Sequence, residues 1–291
     1  MSRLVLVLGP TASGKTSRAI QLAQEYHTHI ISCDSRQFYT ELNIGVARPS
    51  PDELAAAPHH FIACRSVHEP YNVYTYQHEA LALMQQLFKE HDTLVAVGGS
   101  SLYIHALTHR ISVLPDPTPE LRASLKKQLA EEGIQSLRAL LKKLDPDYYA
   151  RVDLANPVRI QRALEVCLTA GKPYSQLCRG VPPCTPEFTI VPVIIERSRD
   201  ELRERIRTRV DQMMADGLED EARRLYPLRH LQPLNTVGYK EFFALWSRGV
   251  LPCTPVALST LKDAIALNTW HYAKKQLTWL KKEYPNLQLL T

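Results

Sequence analysis

The eight residues Gly9-Pro10-Thr11-Ala12-Ser13-Gly14-Lys15-Thr16 constrain this chain more than any other feature. They follow an apolar run at residues 4–8 that reads as a buried parallel strand. They precede residues 17–26, where Ala19, Ile20, Leu22 and Ala23 recur at helical spacing. Strand, glycine-rich loop and helix in that order make a phosphate-binding loop. Gly9 and Gly14 let the backbone turn tightly, so that its N–H groups converge on an anion at the helix N-terminus. Lys15 adds a point charge for the terminal phosphate, and the Thr16 hydroxyl is a candidate ligand for Mg2+. The chain handles a phosphorylated compound.

A length of 291 residues suffices for one α/β core and a second module of moderate size. No apolar run reaches membrane-spanning length, and neither a leader sequence nor a membrane partner is expected. The six cysteines (33, 64, 167, 178, 184 and 253) are scattered without a C-x-x-C pair, and no paired His/Cys spacing of a zinc site stands out. Reduced thiols and a cytoplasmic location are the expectation. The net charge of +5 is uneven: residues 1–119 hold 8 Lys and Arg against 10 Asp and Glu, so the excess lies in the remainder. A polyanionic partner for the second half fits this distribution, and so does ordinary surface charge.

A second buried strand is predicted at residues 28–33, ending at Asp34, followed by a long helix over about 73–91. A third strand covers 93–97 and closes on Gly98-Gly99-Ser100-Ser101. Alternating strands and helices indicate a doubly wound parallel sheet with its ligand site at the carboxyl ends of the strands. From about 117 to 183 only helical segments occur (119–132, 134–144 and 157–169), bracketed by Pro-rich stretches. A fourth strand at 188–195 then resumes the sheet, and Pro192 within it favours an edge position. Amphipathic helices follow at about 200–216, 218–226, 239–248 and 255–283. The expected organisation is a P-loop NTPase-like core over 1–116, an all-helical insertion over 117–183, and a return to the core over 184–291.

Asp34-Ser35-Arg36-Gln37 directly follows the second strand, so the Asp34 carboxylate faces the same crevice as the phosphate loop. It fits a general base, a metal ligand or a helix N-cap. The third strand ends in Gly-Gly-Ser rather than in an acidic residue, which argues against ordinary ATP hydrolysis. Arginines 197, 199, 203, 205, 207 and 209 cluster after the fourth strand. Arg205 and Arg209 share one helical face, suited either to a clamp on a leaving phosphate or to a solvated salt-bridged surface. Gln161-Arg162-Ala163-Leu164-Glu165 and 271–279 read equally well as helix faces.

These segments together resemble the tRNA dimethylallyltransferase family. The resemblance rests on GPTASGKT (9–16), ISCDSRQFY (31–39), PHHFI (58–62), VGGSSLYI (97–104), RIQRALEV (159–166), LRERIRTRVDQMMADGL (202–218), NTVGYKE (235–241) and YAKKQLTW (272–279), in family order over nearly the whole chain. Two positions depart from the pattern: Ser101 stands where glycine is usual, and Lys240 where many members carry Arg.

The resemblance implies transfer of a dimethylallyl group from dimethylallyl diphosphate to N6 of the adenine beside the tRNA anticodon. Residues 9–16 and Arg205 would bind the diphosphate with Mg2+ on Thr16, and Asp34, Thr11 and Arg209 would be catalytic. The tRNA anticodon stem-loop would meet Asp34, Ser35, Arg36, Gln37, Ser100, Arg122 and residues 161–165. It would also meet the loop Asn235-Thr236-Val237-Gly238-Tyr239-Lys240. A monomer is expected, and His59-His60 is read as packing. Rival readings are an adenylate isopentenyltransferase, a small-molecule kinase and a non-catalytic RNA-binding module.

Overall fold

The computed structural model describes residues 2–109, 111–178, 187–249 and 255–285, and by its internal packing the chain divides into two units, 1–109 with 185–291 and 110–184. The first holds β1 (Arg3–Leu8), α1 (Lys15–Glu25), β2 (Ile30–Ser32), α2 (Pro51–Ala56), β3 (His59–His60), α3 (Val73–Leu87), β4 (Thr93–Val97) and α4 (Ser101–Thr108). The second holds α5 (Pro119–Glu132), α6 (Ile134–Leu144), α7 (Pro146–Tyr149), α8 (Pro157–Ala170) and α9 (Tyr174–Leu177). The chain then returns to the first unit with β5 (Thr189–Ile194), α10 (Arg199–Ala215), α11 (Leu218–Leu225), α12 (Tyr239–Trp246) and α13 (Pro255–Glu283).

The five strands form one parallel sheet in the order β3-β2-β4-β1-β5. β4 is buried along its whole length and β1 at all but its first residue, as expected of strands covered by helices on both faces. Leu6 pairs with Ala96 on one side and with Pro192 on the other. Pro192 has no N–H to donate, and β5 is accordingly an edge strand. β4 lies between β1 and β2, so the ends of these three strands converge: Leu8 runs into the phosphate loop, Ser32 into Asp34, and Val97 into Gly98. Here the direction of winding reverses, and a ligand crevice opens.

Five short elements escape the sequence pattern: α2, β3, α4, α7 and α9. β3 is only two residues long, pairing His59 and His60 with Ile30 and Ile31, too short to show any period. The His59 ring nitrogen Nδ1 lies 2.7 Å from the Ala57 carbonyl, and His60 Nε2 lies 2.8 Å from His29 Nδ1. α4 begins at Ser101, directly after Gly98-Gly99-Ser100. Ser101 sits in its first turn with no positive φ, so the side chain there is accommodated without backbone strain.

The helical unit has its own core, in which Leu125, Leu137, Leu141, Ile160, Ala163 and Leu164 interlock. Its helices start on local signals. Thr118 accepts from Leu121 N–H at 3.3 Å ahead of Pro119, and Asn156 accepts from Arg159 N–H at 3.2 Å ahead of Pro157. Buried Asp145 caps α7 through Tyr148 N–H and also accepts from the backbone and hydroxyl of Ser175, at 2.6 and 2.8 Å. That carboxylate ties α9 to the rest of the unit.

Candidate active site

Cations hold the carbonyl oxygens of the phosphate loop. Arg205 Nε donates to the Ala12 carbonyl at 2.7 Å, Arg197 Nε to Ser13 at 3.2 Å, and Lys15 Nζ to Pro10 at 2.6 Å. With the carbonyls so engaged, the loop keeps its oxygens turned away from an incoming anion. Gly9 takes φ 154°, and a Cβ there would lie 2.8 Å from both the Ile195 carbonyl and Ser13 Oγ. Gly14 caps α1 at φ 98°, a left-handed conformation that glycine adopts freely. Ser13 Oγ is buried inside the loop without a hydrogen-bond partner, a donor suited to a phosphate oxygen.

The cations crowd one another. Lys15 has its pKa brought down to about 7, chiefly by burial and then by the Arg209 charge, against the opposing pull of Asp34. Burial, followed by repulsion from Arg205, likewise lowers that of Arg209. Arg209 Nη1 donates to Thr11 Oγ1 at 3.2 Å. Such a cluster is short of negative charge, and a diphosphate would relieve its repulsion.

Asp34 lies across from the loop. One carboxylate oxygen accepts from the Arg36 N–H at 3.0 Å, which fixes the side chain in a tight turn. Ser100 Oγ accepts from the Ser35 N–H at 3.0 Å and lies 3.0 Å from Ser35 Oγ, binding the end of β4 to the segment after Asp34. Gln37 donates to the carbonyls of Val46 and Ala47, holding the loop over the crevice.

Two cavities of about 310 and 270 Å3 meet at these groups. The first is lined by Thr11, Ala12, Gly14, Lys15 and Thr16 of the loop with Arg205 and Glu53, the second by Ser35, Arg36, Met213 and residues 235–238. Thr11, Asp34, Arg209 and Tyr272 line both. The arrangement is a passage with a cationic phosphate cradle at one end, a less charged opening at the other, and a carboxylate at the junction. A larger cavity of about 1030 Å3 opens beside it, behind Ala47 and Arg48, and reaches Arg209.

The other residues expected at the site are dispersed. Asn235, Thr236, Val237 and Gly238 line the second cavity. Tyr239, expected against RNA, is instead fully buried, and its hydroxyl donates to Glu221 at 2.5 Å. Glu221 in turn accepts from the backbone of Ile44 and Gly45, so this pair shapes the loop above the crevice. Lys240 is half-exposed, 3.9 Å from Glu241.

In the helical unit Ala163 and Leu164, also expected to touch RNA, are fully buried in the core. A helix that packs one face inward turns only part of a five-residue run outward. Glu165, expected there as well, is also buried, and Gln161, Arg162 and Arg122 remain available. All three converge on Glu165, whose side chain is 7% exposed: Arg122 Nε at 3.6 Å, Arg162 Nη1 at 3.5 Å and Gln161 Nε2 at 3.1 Å.

The structure adds Gln276, Tyr272 and Arg197 to the site. Gln276 Oε1 accepts from the Thr11 N–H at 2.8 Å while its Nε2 donates to the Gly99 carbonyl at 2.7 Å, linking the phosphate loop to the end of β4. Tyr272 donates to the same carbonyl at 3.2 Å. A side chain at Gly99 would collide with Gln276. In the sequence Gln276 is one polar residue on a mixed helix, and its only signal was membership of the KKQLTW motif.

Fold and site together define an α/β protein with a phosphate-binding loop that presents a carboxylate beside a polyanion cradle. Comparison with known proteins narrows this. The sequence pattern of the family described as IPP transferase matches residues 37–283, and the chain belongs to that family. It is 43% identical to the tRNA dimethylallyltransferase of Christiangramia forsetii, over 96% of this chain and 90% of that one. It is 41% identical to tRNA dimethylallyltransferase 1 of Bacteroides thetaiotaomicron, over 97% and 90%. Among solved structures it resembles the full-length tRNA isopentenylpyrophosphate transferase of Bacillus halodurans, with a TM-score of 0.67 and 31% identity over 98% of this chain and 88% of that one. A eukaryotic dimethylallyltransferase acting on tRNA shares the fold, with a TM-score of 0.79 at 22% identity over 96% and 70%. The chain is a prenyltransferase.

Proposed function

We propose that this enzyme transfers the dimethylallyl group of dimethylallyl diphosphate to N6 of the adenine on the 3′ side of the tRNA anticodon, with release of diphosphate. The observation that carries the reading is the position of Asp34, on the wall common to the cationic cradle and the second cavity. The diphosphate would occupy the cradle, bound by the loop N–H groups, Ser13, Lys15 and Arg205. The adenine would enter through the opening lined by residues 235–238, unstacked from its loop as single-stranded RNA bases are when read by proteins.

The exocyclic nitrogen of adenine is a weak nucleophile because its lone pair is delocalised into the ring. Asp34 would accept a proton from N6 as that nitrogen bonds to the allylic carbon and the bond from carbon to the diphosphate oxygen breaks. A positioned general base contributes about 10²–10⁴-fold. Arg209, held on Thr11, would balance the charge that grows on the departing diphosphate.

Mg2+ suits this site: Thr16 and Asp34 offer hard oxygen donors on one cavity, and the diphosphate itself supplies others. Bound there, the ion would neutralise diphosphate charge, with Thr16 as its protein ligand. Among the described residues no cage of three or more His, Cys, Asp or Glu surrounds the loop, which agrees with an ion shared with substrate. Arg122 and Arg162 in the helical unit, and the lysines of α13, provide cations for the RNA backbone. A monomeric cytoplasmic enzyme is consistent with this reading. No described helix is long and apolar enough to cross a membrane.

The direct test incubates the purified protein with unmodified tRNA and dimethylallyl diphosphate and digests the RNA. One adenosine gaining a C5H8 unit by mass is the expected result. No mass gain, or ADP release from ATP with an added acceptor instead, would reject the proposal. Affinity for tRNA should also fall steeply with added salt.

A further inference from the structure

Away from the crevice, three ligand atoms from His105, His109 and Glu283 lie within 4.8 Å of one another, where the end of α4 meets the end of α13. His105 Nδ1 and His109 Nε2 stand 3.9 and 4.0 Å from the same Glu283 oxygen, too far for hydrogen bonds. The two imidazoles stack with centroids 4.0 Å apart and planes 10° from parallel. The three atoms surround a gap. Ligands about 2.0–2.1 Å from zinc sit about 3.4 Å from each other in a tetrahedral shell, and because a metal lies in the plane of each ring it binds, closing on an ion turns His105 out of the stack as the three atoms draw together.

The surroundings prepare His109 for that role. Its Nδ1 lies 2.8 Å from Thr108 Oγ1, and the same hydroxyl lies 3.2 Å from the His105 carbonyl, to which it donates. With the hydroxyl proton on that carbonyl, Oγ1 accepts from Nδ1–H, and the Nε2 lone pair is then free for an ion. This is the outer hydrogen bond that metal-binding histidines use to fix tautomer and ring orientation. Gln77 Nε2 donates to the carbonyls of Ala106 and His109, both at 2.6 Å, and so pins the end of α4. The side chains are 39%, 41% and 27% exposed, so an ion can reach them from solvent.

The geometry points to a divalent transition-metal site of the zinc class, formed by His105, His109 and Glu283 with its remaining position open to water. Two imidazoles and a carboxylate suit zinc better than magnesium or calcium. Its place in the fold gives it a purpose distinct from chemistry. α13 carries Tyr272 and Gln276 to the crevice, and α4 starts directly after Ser100, so an ion joining their far ends would staple together two walls of the active site.

The test uses the full untagged chain, stripped with a chelator and titrated calorimetrically with Zn2+ alone. One ion per chain, bound in the micromolar range or tighter with a raised melting temperature, is expected, and Co2+ should give the intense visible bands of a tetrahedral site. His105→Ala, His109→Ala and Glu283→Gln should each weaken Zn2+ at least about tenfold, and Thr108→Val about tenfold without touching the ion. The melting temperature of each metal-free variant separates lost binding from lost folding. A parent chain that takes up no Zn2+ in that range overturns the inference. So does a folded His105→Ala/His109→Ala variant that binds it as the parent does.

Discussion

Every group around the crevice of the α/β unit arrives from a different stretch of chain: the loop from 9–16, Asp34 after β2, Gly99 after β4, Arg205 and Arg209 from α10, and Gln276 from α13. In the helical unit the charged cluster is mostly local, with Gln161, Arg162 and Glu165 in one turn of α8 and only Arg122 coming from elsewhere. The two regions also treat charge oppositely. The crevice gathers cations around a space with too few anions, which suits a small polyanion held at close range. The helical unit buries one carboxylate beneath two guanidinium groups, which orients cations that still face outward. A site for phosphate chemistry needs long-range convergence, whereas a surface for a backbone polyanion needs only exposed, oriented charge.

The largest expected effect is on the crevice. Asp34→Ala should cut turnover by at least about 10²-fold while leaving tRNA affinity nearly intact, measured by single-turnover kinetics beside equilibrium binding. Equal losses in both would mean that Asp34 serves binding rather than proton transfer. Next, Leu141→Ala opens the helical core, where Leu141 is fully buried, and should destabilise that unit by about 2–5 kcal/mol. Dimethylallyl diphosphate affinity should stay unchanged, and a parallel loss would show that the two units do not act separately.

A smaller effect concerns Lys15. Its pKa, about 7 in the anion-free protein against an ordinary 10.5, should rise when a diphosphate binds beside it. Binding therefore takes up a proton above pH 7, and affinity should fall by up to about tenfold per pH unit above that value, with no contribution from this group below it. Calorimetry in buffers of different ionisation enthalpy counts the proton, and no uptake at pH 8 would remove Lys15 from the cradle. The smallest effect is expected for Glu165→Gln, which frees Arg122 and Arg162 from their shared carboxylate. KM for tRNA should rise about three- to tenfold at unchanged kcat. A fall in kcat instead would assign Glu165 to the chemistry.

How much of this was readable in advance follows the same division. α5 and α6 begin and end where the sequence places them, because Thr118, Pro119 and Gly133 are local stop and start signals. β1, β4 and the phosphate loop were legible for a similar reason: continuous apolar runs and glycine positions act over a few residues. The two-residue β3 had no period to show, and only pairing with β2 makes it a strand. Motif membership named Tyr239, Ala163 and Leu164 as surface groups because a motif does not say which of its residues face inward. It included Tyr272 and Gln276 but gave them no role, because nothing near them in the chain announces a partner.

By itself the sequence determined the alternation of strands and helices, the phosphate loop, the helices of the second unit and the candidate carboxylate, all of which are written in residues close together in the chain. Only the tertiary structure decided that Gln276 bridges Thr11 to Gly99, that Tyr239 supports a loop through Glu221, and that Glu283 stands beside His105 and His109. These pairings join distant segments. Their geometry is set by how α10 and α13 pack on each other and on the phosphate loop, and α11 on α12, and no local propensity encodes that packing.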